Sequence, residues 1–266
     1  MKTKMEFSLS ISENLKNTNI ITKGNILEYK TEPNYFFSTG SKNFDKVLNG
    51  GFQSSHMYLI FGANKTGKTQ ISHQMCLQAF KQNYKTIYID AENTFRPERI
   101  KELATAFSLD YTLVLKSILV TKIMSTSALL LKLNEIERIL EKNEEIIIVI
   151  DSINNHFRVE LGEKLESFLQ IKNKFLKTLE KLNNLTKRFN LITIATAQVS
   201  PNFIENSIIR EYPVGLRFLN QYFSEFIYLS YKEKDSGYVH LINSIKYPEK
   251  KILYRISNIG IEDYKI

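Results

Sequence analysis

The chain reads as an α/β fold in which a mostly parallel central sheet is flanked by helices and followed by a C-terminal β-hairpin region. Three observations predict this. Four short runs, Met57–Phe61, Lys85–Ile89, Ile146–Ile150 and Leu191–Ala195, are rich in apolar and β-branched residues with little interruption. That is how parallel strands buried on both faces are worded. Apolar residues at helical spacing fill the stretches around them. Further on, two β-rich runs flank a short polar turn.

Taken in order, Met57–Phe61 is the first core strand, and Ile71, Met75, Ala79 and Phe80 mark one face of the helix after it. Lys85–Ile89 is the next strand. Leu129, Leu133, Ile136 and Leu140 mark a packing helix before Ile146–Ile150. Leu165, Phe168, Leu169, Phe175, Leu176, Leu179 and Leu182 then trace a long helix whose other face is rich in Lys and Asn. A helix lying on the sheet explains that pattern better than a partner-binding helix does. After Leu191–Ala195, Glu225–Leu229 and Tyr238–Ile242 flank Asp235-Ser-Gly237 as a hairpin, and Lys251–Ile256 adds a last strand. His73 and His240 fall away from the strand ends and read as structural. Met1 to about Tyr35 lacks sustained periodicity, which leaves a flexible arm and an edge strand donated to a neighbour both open. The expected division is an N-terminal extension over residues 1–36 and one domain over residues 37–266.

Composition agrees with one sizeable core. The 266 residues are 43% hydrophobic and 24% charged, enough for one domain with a short extension rather than two full domains. There is no run of about 20 apolar residues to span a membrane, and the N-terminal residues lead into no signal-peptide core, so a cytoplasmic protein is expected. The single cysteine, Cys76, excludes a disulfide or zinc framework and sits among apolar helix residues as core. The formal charge of +8 permits nucleic-acid binding. It argues little for it, because the lysines are scattered as on an ordinary solvated surface.

The octapeptide Gly62-Ala63-Asn64-Lys65-Thr66-Gly67-Lys68-Thr69 between strand and helix fits a loop that cradles polyphosphate. Glycine at both ends lets backbone N–H groups converge on the anion, and the following helix aims its positive dipole end at it. Lys68 is placed to reach the terminal phosphates, Thr69 to hold Mg²⁺, and Gln70 to complete the set, so ATP with Mg²⁺ is the expected ligand. The carboxyl ends of parallel strands form the ligand crevice of such sheets. Glu92 stands just beyond one strand end and Asp151 at another. Glu92 suits a base that orients the attacking water, and Asp151 a Mg²⁺ ligand acting through water. An acid at a strand end is also a common helix cap. Gln198, at the same edge, would sense the γ-phosphate.

The order and spacing of several segments resemble the ATPase core of archaeal RadA recombinases, from about Phe37 to Asp263. They are Phe37-Ser-Thr-Gly-Ser-Lys42 with Asp45 and Leu48-Asn-Gly-Gly51; Gly67-Lys-Thr-Gln70; Tyr88-Ile-Asp-Ala-Glu-Asn-Thr-Phe-Arg-Pro-Glu-Arg-Ile100; Asp151-Ser152 with His156-Phe-Arg158; Gln198-Val199; and Ile259-Gly-Ile-Glu-Asp263. The resemblance implies a RecA-like P-loop ATPase core. It implies that Glu92 is the catalytic glutamate, that Lys68 and Gln198 act with it, that Gln198 links the γ-phosphate to a DNA-contacting loop, and that Arg158 lies near DNA.

Departures from that pattern bear on function. The family usually carries an N-terminal helix-hairpin-helix domain and a Phe-x-x-Ala segment that docks on the next subunit. Only about 36 residues precede Phe37, and they hold no Phe-x-x-Ala. Where the family's first DNA loop reads Gly-Arg-Gly, this chain has Val159-Glu-Leu-Gly-Glu-Lys164, and Glu163 would repel a phosphate. The second loop, Ser200 to Tyr212, is somewhat short and sets Arg210 against Glu205 and Glu211. Gln221 stands where many relatives have a histidine that reports on nucleotide state. Arg158, Phe203 and Arg210 remain the candidate DNA contacts.

Two functions fit. The preferred one is an accessory RadA paralogue that binds ATP and associates with single- or double-stranded DNA, assisting a RadA-type recombinase in recombination and repair with slow hydrolysis. The other is a self-assembling, DNA-dependent ATPase that performs strand exchange on single-stranded DNA. A signalling ATPase of the KaiC type fits the core but not Phe95-Arg-Pro-Glu-Arg99.

Overall fold

Side chains alternate across a strand, so an apolar run can feed two faces at once. The computed structural model describes residues 36–141, 144–204, 207–244 and 246–264. The expected extension over residues 1–36 lies outside them except at Phe36. From there the elements are β1 (Phe36–Phe37), α1 (Lys42–Val47), β2 (Phe52–Gln53), β3 (His56–Phe61), α2 (Lys68–Lys81), β4 (Lys85–Asp90), α3 (Pro97–Ala106), α4 (Tyr111–Lys116), β5 (Ile118–Lys122), α5 (Thr126–Ile139) and β6 (Ile146–Asp151). They continue as α6 (Asn155–Glu163), α7 (Phe168–Arg188), β7 (Ile192–Ala197), β8 (Val199–Pro201), β9 (Glu211–Pro213), α8 (Leu216–Leu219), β10 (Glu225–Glu233), β11 (Ser236–Ser244), β12 (Lys250–Ser257) and β13 (Gly260–Asp263).

The central sheet has nine strands in the order β13-β12-β11-β10-β3-β7-β6-β4-β5. From β10 to β5 neighbours run parallel, while β10 to β13 form an antiparallel flank. Each predicted apolar run is a strand of the parallel part. Met57, Leu59, Phe61, Ile148 and Ile150 face one core with Leu129, Leu133 and Ile136 of α5 and Phe175, Leu179 and Leu182 of α7. Tyr58, Ile60, Tyr88, Ile147, Val149 and Ile194 face the other core with Phe44, Ile71, Met75, Ile100 and Val114 from α1 to α4. Burying a leucine, isoleucine or phenylalanine this fully contributes roughly 1.5–3 kcal/mol, so both layers stabilise the sheet that carries the strand ends.

Local signals set the helix ends. Pro97 opens α3 at its first turn, and Ser125 Oγ accepts the Ala128 N–H to cap α5. At α7, Ser167 and Gln170 form a reciprocal capping box, with Ser167 N–H donating to Gln170 Oε1 at 2.9 Å and Gln170 N–H to Ser167 Oγ at 3.3 Å. This box corrects the sequence reading of the long helix. Leu165 lies ahead of it, 84% exposed, and Phe168 and Leu169 in the first turn are also exposed. The buried face instead begins at Ile171.

Two further differences lie in the segments read as DNA loops. Val159-Glu-Leu-Gly-Glu163 continues α6 as helix, which stops at Lys164 with φ 55°. Glu160 Oε1 accepts the Thr126 N–H at 2.8 Å, placing a carboxylate at the positive end of α5. The second loop is pinched at its base into a ribbon by β8 and β9. Elements α3, α4, β5 and β13 have short or mixed patterns that periodicity alone does not isolate.

Candidate functional site

Strand register brings the site together. Asp90 lies opposite Asp151 across β4 and β6, and Phe61 opposite Ala197 across β3 and β7. The chain therefore leaves all four strands at one carboxyl edge, where Gly62, Ala91-Glu92, Ser152 and Gln198 follow.

The 62–67 loop is held from behind. A Cβ on Gly62 would lie 2.1 Å from the Leu229 carbonyl oxygen, and one on Gly67, whose φ is 95°, would lie 3.0 Å from Ile256 Cδ1. Glycine is required at both for the loop to sit this close to β10 and β12. Thr66 Oγ1 donates to the Ala63 carbonyl at 2.9 Å, and Tyr254 Oη donates to the Thr66 carbonyl at 2.5 Å. Lys65 crosses the loop apex at φ 67°, exposed beside Asn64. No side chain caps the first turn of α2, so its N–H groups have no side-chain acceptor.

Lys68 is buried and folds back over the loop, donating to the carbonyls of Gly62 at 2.7 Å and Ala63 at 2.9 Å. Burial lowers its pKa below the usual lysine range, while the negative charges of Glu92, Asp151 and Glu211 pull it back up. Thr69 follows at the start of α2, and its carbonyl is bonded by His73 Nδ1 at 2.8 Å. Gln70 accepts from Arg99 Nε at 3.1 Å, and its Nε2 is buried without a partner among the described residues.

Asp151 is buried, with Oδ1 bonded by Thr196 Oγ1 and Oδ2 by Thr94 Oγ1 at 3.1 Å and Tyr88 Oη at 3.3 Å. Its oxygens are thus shielded by hydroxyl groups, an arrangement that suits a metal held through water more than direct ligation. Among the described residues no three acids, histidines or cysteines cluster as a ready cation site.

Asp90, equally buried, shapes the loop that carries Glu92. Its Oδ1 accepts the N–H groups of Glu92 at 3.3 Å and Thr94 at 3.0 Å, and its Oδ2 that of Phe95 at 3.1 Å. His73 Nε2 accepts the Arg96 N–H at 3.0 Å, and its ring stacks on Phe95 with centroids 5.4 Å apart. The histidine thereby ties α2 to the same loop. Its buried position lowers its pKa, opposed by the Thr69 carbonyl and the charge of Asp151.

Gln198 meets Glu92 across the edge, its Nε2 within 2.8 Å of both carboxylate oxygens. Thr196, two residues earlier, bonds Asp151 from the same strand end. One segment therefore touches both acids. Beyond it the β8–β9 ribbon carries Phe203, Ile204 and Ile208 exposed at its tip, and Tyr228 Oη donates to Glu211 Oε2 at its base at 2.5 Å.

Glu92, Gln198, Asp151, Lys68 and the glycine loop thus share one edge. Of the three candidate DNA contacts, Arg158 lies exposed on α6, while Phe203 and Arg210 lie exposed on the ribbon. Gln221 is exposed after α8 and bonds the Arg217 carbonyl at 3.1 Å. Asp90, His73, Asn154 and Tyr254 bear on the site although the motifs do not assign them a role. Asp90 had a signal, an acid at a strand end two residues before Glu92, whereas Tyr254 lies far away in sequence and carried none.

The Rad51 family model matches residues 34–264. The meiotic recombination protein DMC1 of Saccharomyces cerevisiae is 30% identical over 239 residues, covering 86% of this chain and 71% of that protein. The DNA repair and recombination protein RadA of a Methanococcus maripaludis strain is 31% identical over 245 residues, covering 85% and 75%. The DMC1/LIM15 homolog of Homo sapiens is 28% identical over 242 residues, covering 87% and 71%. A glycine loop between β3 and α2, an acid–amide pair at the carboxyl edge of a parallel sheet and a match across nearly all of the described residues converge: the chain belongs to the Rad51 family.

Proposed function

We propose that this protein binds ATP with Mg²⁺, hydrolyses it slowly and acts on DNA in the cytoplasm as an accessory member of a recombination and repair system. The observation that supports ATP chemistry most directly is the Glu92–Gln198 pair on the same edge as the loop holding Lys68. The residues fit the ligand. Gly62 and Gly67 let the loop pack against Leu229 and Ile256 where a Cβ would clash, which holds its backbone in a tight turn, and the uncapped first turn of α2 offers N–H donors to an anion. The nucleotide would lie against residues 62–70, with Mg²⁺ held by Thr69 Oγ1 and, through water, by Asp151. When bound, the metal supplies positive charge beside the phosphate oxygens.

The chain's own groups do the rest. Lys68 turns from the Gly62 and Ala63 carbonyls to the phosphates, exchanging neutral acceptors for charged ones. Glu92 orients a water and takes its proton. Gln198 leaves Glu92 for the phosphate end, which frees the carboxylate and pulls on the ribbon. Asp90 keeps Glu92 in place by holding the backbone on which it rides.

The accessory role is supported by the DNA-facing segments. Glu160 and Glu163 lie on the same helix as Arg158, and Glu211 follows Arg210 in sequence at the ribbon base. Negative charge carried on the same segments would oppose the phosphate binding that the two arginines could give. The alternative, a self-assembling recombinase, is favoured by the intact set of Lys68, Glu92 and Gln198. ATP hydrolysis with and without single-stranded DNA, read beside light scattering, separates the two. Slow turnover indifferent to DNA, by a small species, supports the accessory role; strong stimulation with large assemblies rejects it in favour of the recombinase.

A further inference from the structure

Asn154 stands just ahead of α6, where an asparagine ordinarily caps its own helix by accepting an N–H from the first turn. It makes no such cap. Its side chain is wholly buried and turned across to the end of β7. There Oδ1 accepts the Gln198 N–H at 2.7 Å, and Nδ2 donates to the carbonyls of Gln198 at 2.8 Å and Val214 at 2.9 Å. A primary amide has two N–H donors and one carbonyl acceptor, and here all are in use. Val214 N–H also donates to the Gln198 carbonyl at 3.0 Å. Both backbone groups of Gln198 and the far end of the ribbon thus meet in one side chain.

We propose that Asn154 is the positioning residue for Gln198. It fixes the backbone from which the Gln198 amide reaches Glu92, and it clamps the two ends of the β8–β9 ribbon to each other. With its base clamped, the ribbon turns about Gln198 as one body, so a change in what the Gln198 side chain bonds is carried to the exposed tip at Phe203. Without the clamp, the same change is absorbed by drift of the 198 and 214 backbone, and the amide loses its aim. The inference rests on the proposed pairing of Glu92 and Gln198 in nucleotide hydrolysis.

The chain contains no tryptophan, so Phe203→Trp supplies a single reporter at the ribbon tip. In that background Asn154→Ala is compared with its parent, using Mg·ATP for turnover and a slowly hydrolysed ATP analogue for calorimetric affinity and tryptophan emission. The expected result is affinity within about threefold, turnover lower by roughly a hundredfold, the cost of about 1 Å of misplacement, and loss of the analogue-dependent emission change. Adding Asn154→Ala to Gln198→Ala should cost nothing further, because the clamp then has no amide to aim. Full additivity with Gln198→Ala overturns the proposal. So does an unchanged turnover and tip signal, or a parallel fall in affinity, melting temperature and turnover, which marks a merely structural residue. If Asn154→Ala does not fold, Asn154→Ser, which keeps one of the bonds, is expected to show the same split in weaker form. A parent chain that binds no nucleotide sinks the functional reading and this inference with it; normal binding that ignores Asn154→Ala sinks the inference alone.

Discussion

Gln198 Nε2 lies 2.8 Å from each carboxylate oxygen of Glu92, so a single amide engages the whole face of the acid. A carboxylate held this way is aimed but occupied. Glu92→Gln keeps the shape and removes the proton acceptor. Nucleotide affinity should stay within a few-fold while turnover falls by about 10²–10⁴, the usual contribution of a general base. Single-turnover ATP hydrolysis beside a binding isotherm checks this, and undiminished hydrolysis would move the base elsewhere.

Lys68→Ala removes the buried ammonium that spans the Gly62 and Ala63 carbonyls. Charge-assisted hydrogen bonds contribute roughly 1.5–3 kcal/mol, so affinity for ATP should fall about tenfold to a hundredfold or more. Calorimetric titration decides it; equal affinity in the variant is incompatible with the phosphate-loop assignment.

His73 adds a pH dependence. Its Nε2 accepts the Arg96 N–H, so Nδ1 carries the ring proton and donates to the Thr69 carbonyl. Burial lowers the pKa of the folded state below the ordinary histidine value of 6.5. Below that value the unfolded chain binds a proton that the folded chain does not, and stability is lost as pH falls towards the folded pKa. Half-buried His56, its pKa also lowered by desolvation, acts in the same direction. His73→Gln should leave only the remaining groups' contribution, giving a smaller drop in melting temperature from pH 7 to pH 5 than the unsubstituted chain shows. An identical drop would mean that His73 does not titrate in this window.

Arg158 and Arg210 are exposed on α6 and on the ribbon. If each contacts one phosphate, removing either should flatten the slope of log affinity against log salt by about one unit. Fluorescence titration of a labelled single strand at several salt concentrations measures it. A slope unaltered by both substitutions removes these arginines from the DNA surface.

Much of the site was legible because its chemistry is local. The glycine loop needs contiguous residues of fixed type, and an acid at the end of an apolar run declares both the strand and its edge, as Asp151 and the Asp90-Ala-Glu92 segment do. What was not legible depends on contacts between distant segments. Nothing in the spacing of Asn154, Gln198 and Val214 indicates that they meet, and an asparagine before a helix ordinarily signals a cap. The apolar rhythm of Leu165, Phe168 and Leu169 places the buried face of α7 too early, although Ser167 and Gln170 carry the competing capping signal. The helical run from Val159 to Glu163 went unread because Gly162 and the surrounding charges are worded like a loop.

The Tyr254 hydroxyl that bonds the Thr66 carbonyl at 2.5 Å comes from 188 residues further along the chain, and Ile256 and Ile261 lie against Gly67 beside it. Closing so long a loop carries an entropic cost before any contact repays it. Synthesis from the N-terminus delivers the phosphate loop early and its backing last. Until β12 and β13 dock, the nascent loop lacks the wall that shapes it, so the proposed nucleotide binding should emerge only as those two strands join the sheet.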